Sequence, residues 1–255
     1  MTAVSLKRIL KEANKNKYAV AGLVVLGWDD ALAFTQAADE TGIPIILQAG
    51  PSCRAHTPVP ILGKMFRYLA DQTKTHICCH IDHGYTIREC IEGIDSGFTS
   101  VMFDGSKLSL KENIKITSSI VKKAHNSKVS VEGEVGFVGY ANGKNSKGTL
   151  IDEAIKFSRE SNVDAMAISV GNTHLQTKKI AKIDFDKIQK IQNSISTPLV
   201  LHGGSGIPNQ TRKKLAKETN IAKFNIGTEV RMAFGNALKS QVKKNPLVYD
   251  RLQLL

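Results

Sequence analysis

The sequence predicts a closed (β/α)8 barrel, the TIM-barrel class, on two observations. Short apolar runs alternate with longer helix-patterned stretches along the whole chain, as parallel strands joined by crossover helices do. At the carboxyl ends of separate runs stand Asp82, Asp104, Glu134, His174, His202 and Asn225. In a closed barrel every strand ends at the same face, so side chains distant in sequence converge on one site. Counted as eight β-α units, the alternation fits closure better than an open Rossmann-type sheet, its nearest competitor.

The elements follow in order. The first residues pass directly into an amphipathic stretch without the long apolar segment of a secretory signal. Strand-like runs cover residues 18–26 and 43–48. Residues 28–40 between them are helical in pattern and stop at Thr41-Gly42, because glycine readily takes the left-handed conformation that ends a helix. Four runs begin at His76, Ser100, Val129 and Asp164. Two more begin at Pro198 and Ile221, each after a helical stretch, at 184–192 and 209–217. No Pro-, Ser- or Gly-rich linker interrupts the pattern, so residues 1–255 are expected to form a single domain. The exception to regularity is 136–148, with four glycines and several polar residues after a strand. It is expected to be a mobile loop at the active-site face, either a lid or a plain connection.

Composition narrows the function classes. Hydrophobic residues make up 42% and charged residues 23% of the 255, and no apolar run approaches the roughly 20 residues that cross a bilayer. A cytoplasmic protein without a membrane partner is expected. Four cysteines in a chain of this size need not form staples, and the adjacent pair Cys78-Cys79 points to opposite faces of a strand. With no CxxC pair, a structural zinc knot is not expected. The net charge of +12 would suit nucleic acid, an anionic surface or phosphorylated substrates. Its lysines are spread through helical segments among acids, with no arginine-aromatic stretch, which reads as a solvated basic surface and not a nucleic-acid partner.

The strand ends carry the chemistry. In His80-Ile81-Asp82-His83-Gly84, alternation puts His80 and Asp82 on one face, and a turn at Gly84 would re-aim His83 at the barrel mouth. One histidine there would more often pack than ligate. Recurrence changes the balance: His174 closes Gly171-Asn172-Thr173-His174 and His202 opens His202-Gly203-Gly204. Three neutral imidazoles with an open fourth position are the pattern of a catalytic zinc, which polarises a carbonyl. A second signal is glycine-rich. Gly203-Gly204-Ser205-Gly206-Ile207-Pro208 follows the seventh run, and Asn225-Ile226-Gly227-Thr228 follows the eighth and opens a helix. Backbone N–H groups and short hydroxyls at these places hold phosphate in such barrels.

From Tyr18-Ala19-Val20 to about Asn245 the chain resembles the class II, metal-dependent ketose-bisphosphate aldolases, which include fructose- and tagatose-bisphosphate aldolases. The likeness is carried by Ile46-Leu47-Gln48, by the His80 to Gly84 segment, and by Ser100-Val101-Met102-Phe103-Asp104-Gly105-Ser106. It continues through Val131-Glu132-Gly133-Glu134-Val135-Gly136, Val170-Gly171-Asn172-Thr173-His174, Leu199 to Gly206, and Phe224-Asn225-Ile226-Gly227-Thr228-Glu229. The resemblance implies Zn2+ held by His83, His174 and His202, with Asp104 and Glu134 near an alternative or second metal position. It implies Asp82 as the acid-base group at the aldehyde oxygen, and Gly203, Ser205, Asn225, Gly227 and Thr228 around the phosphate and triose. Capping and core hydrogen bonding are the plainer roles for Asp104 and Thr228.

The implied activity is cleavage or formation of a phosphorylated ketose through dihydroxyacetone phosphate, with fructose 1,6-bisphosphate as default substrate. Tagatose bisphosphate, another ketose phosphate, or a non-catalytic sugar-phosphate-binding role are the alternatives, and a homodimer or higher homo-oligomer is implied. The chain departs from the family in four places. Its 136–148 loop carries no acid, where the family has the base that takes the carbon proton; Glu134 and Tyr140 are the candidates left. Leu175 stands where a glycine follows the second metal histidine, and Gly22-Leu23-Val24 stands for Ala-Phe-Asn. Gly227 replaces an Asp or Ala that distinguishes sugar bisphosphates.

Overall fold

In a computed structural model, which describes residues 2–254, the parallel strands close in chain order with the last paired to the first. They are β1 (Val20–Val25), β2 (Ile45–Ala49), β3 (Ile77–Gly84), β4 (Ser100–Phe103), β5 (Ser130–Val135), β6 (Ala165–Ile168), β7 (Leu199–Leu201) and β8 (Ile221–Ile226). Closure of β8 on β1, register Ala21 to Phe224, excludes the open-sheet alternative. The (β/α)8 barrel is the fold.

The amphipathic first stretch is α1 (Leu6–Lys15), and it packs under the barrel, not beside it. Its buried stripe of Leu6, Ile9, Leu10 and Ala13 meets Val20, Ile46, Cys78, Ala165, Val200 and Ala222, closing the end opposite the functional face. A second core lies between the outer strand faces and the helices α2 (Trp28–Thr41), α3 (Pro51–His56), α4 (Val59–Gln72), α5 (Ile87–Asp95), α6 (Leu110–Asn126), α7 (Ile151–Ser161), α8 (Phe185–Gln192) and α9 (Asn209–Glu218). Strand alternation sends Cys78 into the first core and Cys79 into the second, and all four cysteines are free and buried. Helix α2 ends at Gly42 with φ 66°, and α5 and α6 each start with a reciprocal capping box, Thr86 with Glu89 and Ser109 with Glu112.

Helix α10 (Thr228–Lys244) buries none of its residues, and α11 (Arg251–Leu254) contacts it. No helix among the described residues is long and apolar enough to cross a membrane.

The end of β3 differs from expectation. The chain does not turn at Gly84, which stays in the strand and pairs with Phe103. Instead the β3–β4 register shifts between Ile81 and Gly84, and His83 itself sits at φ 51°. This bulge re-aims the His83 side chain. Gly84 is needed for closeness: a Cβ there would lie 2.8 Å from Met102 O and 2.9 Å from Cys90 Sγ.

Candidate active site

The three histidines predicted from separate strand ends come together, with one ligand nitrogen of each lying within 4.8 Å of the others. Each ring is oriented by a group behind it. His83 Nδ1 is 2.8 Å from Asp104 Oδ2, which leaves Nε2 facing the centre. His202 Nε2 is 2.9 Å from Glu132 Oε1, which leaves Nδ1 facing the centre. These two inward nitrogens are 3.1 Å apart, near the roughly 3.3 Å that two nitrogens on one tetrahedral zinc would show at Zn–N distances of about 2.0–2.1 Å. The His174 ring stands edge-on to both others, its centroid 5.3 Å from that of His83 and 5.7 Å from that of His202.

His83, Asp104 and Glu134 form a second group of the same compactness. Glu134 Oε1 accepts a hydrogen bond from Val138 N, but its buried Oε2 has no hydrogen-bond partner and lies 3.6 Å from His202 Nδ1. A buried carboxylate oxygen without a donor is costly unless a cation meets it. Asp104 does more than cap: besides His83 it accepts from both the Ser106 amide and hydroxyl. The residues present fit a divalent cation.

Protonation follows from the same packing. Burial lowers His174 to about 3, helped by the neighbouring imidazoles, and lowers His202 despite Glu132. Burial would lower His83 too, but Asp82 and Asp104 outweigh it and hold it up at about 9. One proton thus sits where carboxylates and imidazoles converge, and a metal ion would take its place. Burial, then Asp104, raises Glu134 to about 8.

Asp82, at the end of β3, opposes its own burial with four cationic or imidazole neighbours, His83, His202, Lys223 and His80, and stays ionised below the ordinary carboxylate range. Asn225 Nδ2 donates to Asp82 Oδ1 at 3.1 Å and leaves its own Oδ1 without a protein partner. The backbone of Asp82 and His83 is held by Arg54 of α3, whose guanidinium donates to Asp82 O at 2.5 Å, His83 O at 2.9 Å and Ala49 O at 2.6 Å.

Above the histidines opens a cavity of about 150 Å3, lined in part by Asp82, His83, His174, Gly203, Ser205, Asn225, Gly227 and Thr228. Every residue predicted around phosphate therefore lines one space with His83 and His174. Gly203 takes φ 64°, and a Cβ on it would fall 2.2 Å from Thr173 O, so the close approach of the two loops requires glycine. The Ser205 hydroxyl accepts from the Glu229 amide in the first turn of α10. Leu175 also lines the cavity, in the left-handed conformation at φ 60° that a glycine would take without strain.

The 136–148 loop is folded as a hairpin over the site. Phe137 and Lys147 exchange backbone bonds of 2.8 Å, and Tyr140 N donates to Lys144 O. Ala141 N donates to His174 O and His174 N to Gly139 O, tying the hairpin to His174. The Tyr140 ring stacks on His174 with centroids 5.0 Å apart. Burial pushes the Tyr140 phenol up, and Tyr85, its hydrogen-bonding neighbour, is pushed up as well.

Several residues of the site escaped the sequence reading. Glu132 and Lys223 form a fully buried pair beneath His202; a lysine in the middle of the apolar run Ile221-Ala222-Lys223-Phe224 was a signal that could have exposed it. Arg231, one turn into α10, lines the cavity beside Gly227, with Nη2 3.3 Å from where a Gly227 Cβ would stand. Its guanidinium has no hydrogen-bond or ion-pair partner among the described residues, Glu229 being taken by Lys179 and Arg212. Arg54 and Tyr85 carried no sequence signal.

The family model described as fructose-bisphosphate aldolase class-II matches residues 4–255. The chain is 36% identical to the 6-phospho-5-dehydro-2-deoxy-D-gluconate aldolase of Halalkalibacterium halodurans, over 98% of this chain and 88% of that protein. It is 32% identical to the fructose-bisphosphate aldolase of Geobacillus stearothermophilus, over 100% of this chain and 91% of that one. The crystal structure of the YdjI aldolase from Escherichia coli K12 superposes with a TM-score of 0.83 at 26% identity, covering 99% of this chain and 90% of the other. With imidazoles, carboxylates and glycine loops placed around one cavity, this chain belongs to the class II fructose-bisphosphate aldolase family and is an aldehyde-lyase.

Proposed function

We propose that the protein uses Zn2+ to join dihydroxyacetone phosphate to a short aldehyde bearing an anion, or to cleave the resulting phosphorylated ketose. The observation that carries this reading is the single cavity lined by His83, His174, Asp82, the Gly203–Ser205 and Gly227–Thr228 corners and the unpaired guanidinium of Arg231, with His202 grouped against the two lining histidines. A bound divalent ion supplies Lewis-acid polarisation of a carbonyl. The glycine corners and the α10 N-terminus orient a phosphate. Arg231 gives the cavity lining one cation, beside the space that Gly227 leaves open next to Val24. At about 150 Å3 the cavity is below the roughly 300–1,000 Å3 of drug-sized sites, which favours small reactants. The relatives' names, a bisphosphate and a phosphorylated gluconate, each carry a second anion, as Arg231 would require. Fructose 1,6-bisphosphate stays the default ketose, with a phosphorylated sugar acid the alternative.

In this reading Glu134, whose Oε2 accepts no hydrogen bond and whose raised carboxyl a bound cation would return to its ionised form, removes the proton from the carbon beside the carbonyl of dihydroxyacetone phosphate. Tyr140 is the lesser candidate: its raised phenol stays protonated at neutral pH and serves as a donor. The carbon so freed attacks the aldehyde carbon, and the alkoxide that forms takes a proton from water relayed through Asp82, which is ionised before and after the step. In cleavage the ionised Asp82 takes that proton back.

The test has two stages. In heavy water without aldehyde, the zinc-loaded protein is expected to exchange a carbon-bound proton of dihydroxyacetone phosphate, and Glu134→Gln to slow exchange by about 10²- to 10⁴-fold. No exchange above the metal-free control, with triose phosphate binding demonstrated, would leave only the sugar-phosphate-binding alternative. With aldehydes added, Arg231→Met is expected to lower kcat/KM for anionic aldehydes and spare neutral ones; equal losses for both would remove Arg231 from anion recognition.

We also propose a homo-oligomer. Helix α10 exposes Met232, Phe234 and Val242, and a groove of about 480 Å3 on the outer face of β8 and β1 is lined by Ala19, Ala21, Phe224 and Ile226. Faces of this kind usually receive another chain. Sedimentation velocity is expected to report at least a dimer, and a monomer at micromolar concentration would contradict it. The free, buried cysteines support a reducing compartment, hence a cytoplasmic location, which cell fractionation would test.

A further inference from the structure

Beneath the metal histidines the barrel interior holds a charged layer that touches no substrate cavity. Lys223 on β8 and Glu132 on β5 are both fully buried, with Nζ 2.6 Å from Oε2. The other carboxylate oxygen of Glu132 is 2.9 Å from His202 Nε2. Lys223 Nζ also lies 3.3 Å from His80 Nε2, and His80 Nδ1 is 2.9 Å from Ser100 Oγ. Lys223 thus has a carboxylate and an imidazole as partners, and neither Lys223, Glu132 nor His80 lines the cavity above. That position excludes the lysine as a nucleophile toward substrate.

Room for this lysine is built into the neighbouring strand. A Cβ on Gly22 of β1 would stand 3.0 Å from Lys223 Cε and 1.9 Å from Gln48 Oε1, so the missing side chain admits both. A buried ion pair of this kind stabilises a fold no better than apolar residues of similar volume. Its retention in the barrel interior therefore calls for a role other than stability.

We propose that Lys223 is a positioning residue of the metal centre. By holding Glu132 Oε2 it turns Oε1 toward His202, whose Nε2–H donates to it. The imidazole is thereby committed to the tautomer that presents the Nδ1 lone pair to the centre, 3.1 Å from the inward nitrogen of His83. Without the lysine, the carboxylate could rotate or face the buried side chains unpaired, and His202 would lose both its fixed tautomer and its fixed plane. Partners behind a ligand histidine set its orientation and basicity, and their loss typically lowers metal affinity about 10- to 100-fold.

The inference rests on the metal-centre reading, and the two fail differently. If the wild-type protein takes up no divalent ion, the metal reading falls. If it binds zinc, Lys223→Met is expected to bind it about 10- to 100-fold more weakly in chelator competition. Its cobalt form should show shifted visible absorption while the far-ultraviolet circular dichroism stays that of the wild type. A folded Lys223→Met with zinc affinity within about twofold of wild type overturns the proposal. Should that variant not fold, the neutral double variant Glu132→Gln with Lys223→Met removes the unpaired buried charge. It is expected to fold and still bind zinc weakly, because an unanchored amide can present either its oxygen or its nitrogen to His202. Wild-type affinity there also overturns the proposal. The wild-type protein supplies a decision of its own: nitrogen-15 shifts should place the His202 proton on Nε2, and a proton on Nδ1 in the zinc-free protein, or none on Nε2 in the loaded one, rules the mechanism out.

Discussion

Asp82→Asn is expected to keep the fold, bind metal and sugar phosphate, and lose about 10²- to 10⁴-fold in kcat for making or breaking the carbon–carbon bond. The amide preserves shape but neither takes nor returns a proton at the aldehyde oxygen. Its position supports the separation: Asp82 lines the cavity, is ionised through His83, His202 and Lys223, and is held by Asn225 Nδ2 and, through its backbone, by Arg54. Proton exchange on dihydroxyacetone phosphate alone should be much less affected, since it involves no second carbonyl. Steady-state kinetics beside the exchange assay reads both quantities. Near-normal turnover would take Asp82 out of the chemistry, and equal loss of exchange and turnover would mean that it acts on the metal or the triose instead.

Removing the metal, or one of its ligands, should abolish activity. The wild type is expected to carry about one zinc per chain after metal-limited purification, matching three imidazoles and an open position, and His83→Ala, His174→Ala and His202→Ala to carry far less. Because ion binding favours the folded state, zinc at about a hundred times its dissociation constant should stabilise the wild type by roughly 2.7 kcal/mol, and leave the variants unmoved. Uptake has a pH signature. In the metal-free protein His83 is protonated up to about pH 9, so binding must expel that proton, and affinity should rise with pH toward that value. Elemental analysis and thermal unfolding with and without chelator check these outcomes. Full zinc occupancy in all three alanine variants would show that other side chains hold the ion.

Much of the site was legible because barrel strands impose a simple rule. A polar residue at the end of an apolar run faces the mouth, so Asp82, His202 and Asn225 could be placed together without knowing any distance. The glycine corners at Gly203 and Gly227 were legible for a related reason, since close approach of backbone to ligand or neighbouring loop demands glycine. His83 is an instructive half-success. Alternation put it on the wrong face and its rescue was assigned to a turn at Gly84, whereas the register shift and the left-handed His83 itself turn the ring inward.

The sequence by itself determined the alternation that closes the barrel, the ring of polar strand ends and the family to which the chain belongs, because strand period and strand polarity are local properties. Only the tertiary structure decided what stands behind that ring. Lys223 reaches Glu132 across the barrel interior through the space left at Gly22, Arg231 enters the cavity from a helix that buries nothing, and Tyr140 stacks on His174 from a loop that the sequence left as either a lid or a plain connection. The first contact joins strands that are not neighbours, and the other two depend on where a helix and a loop come to lie over the barrel mouth. Their partners are set by barrel closure and the direction of each loop, and no periodicity along the chain encodes which side chains then meet.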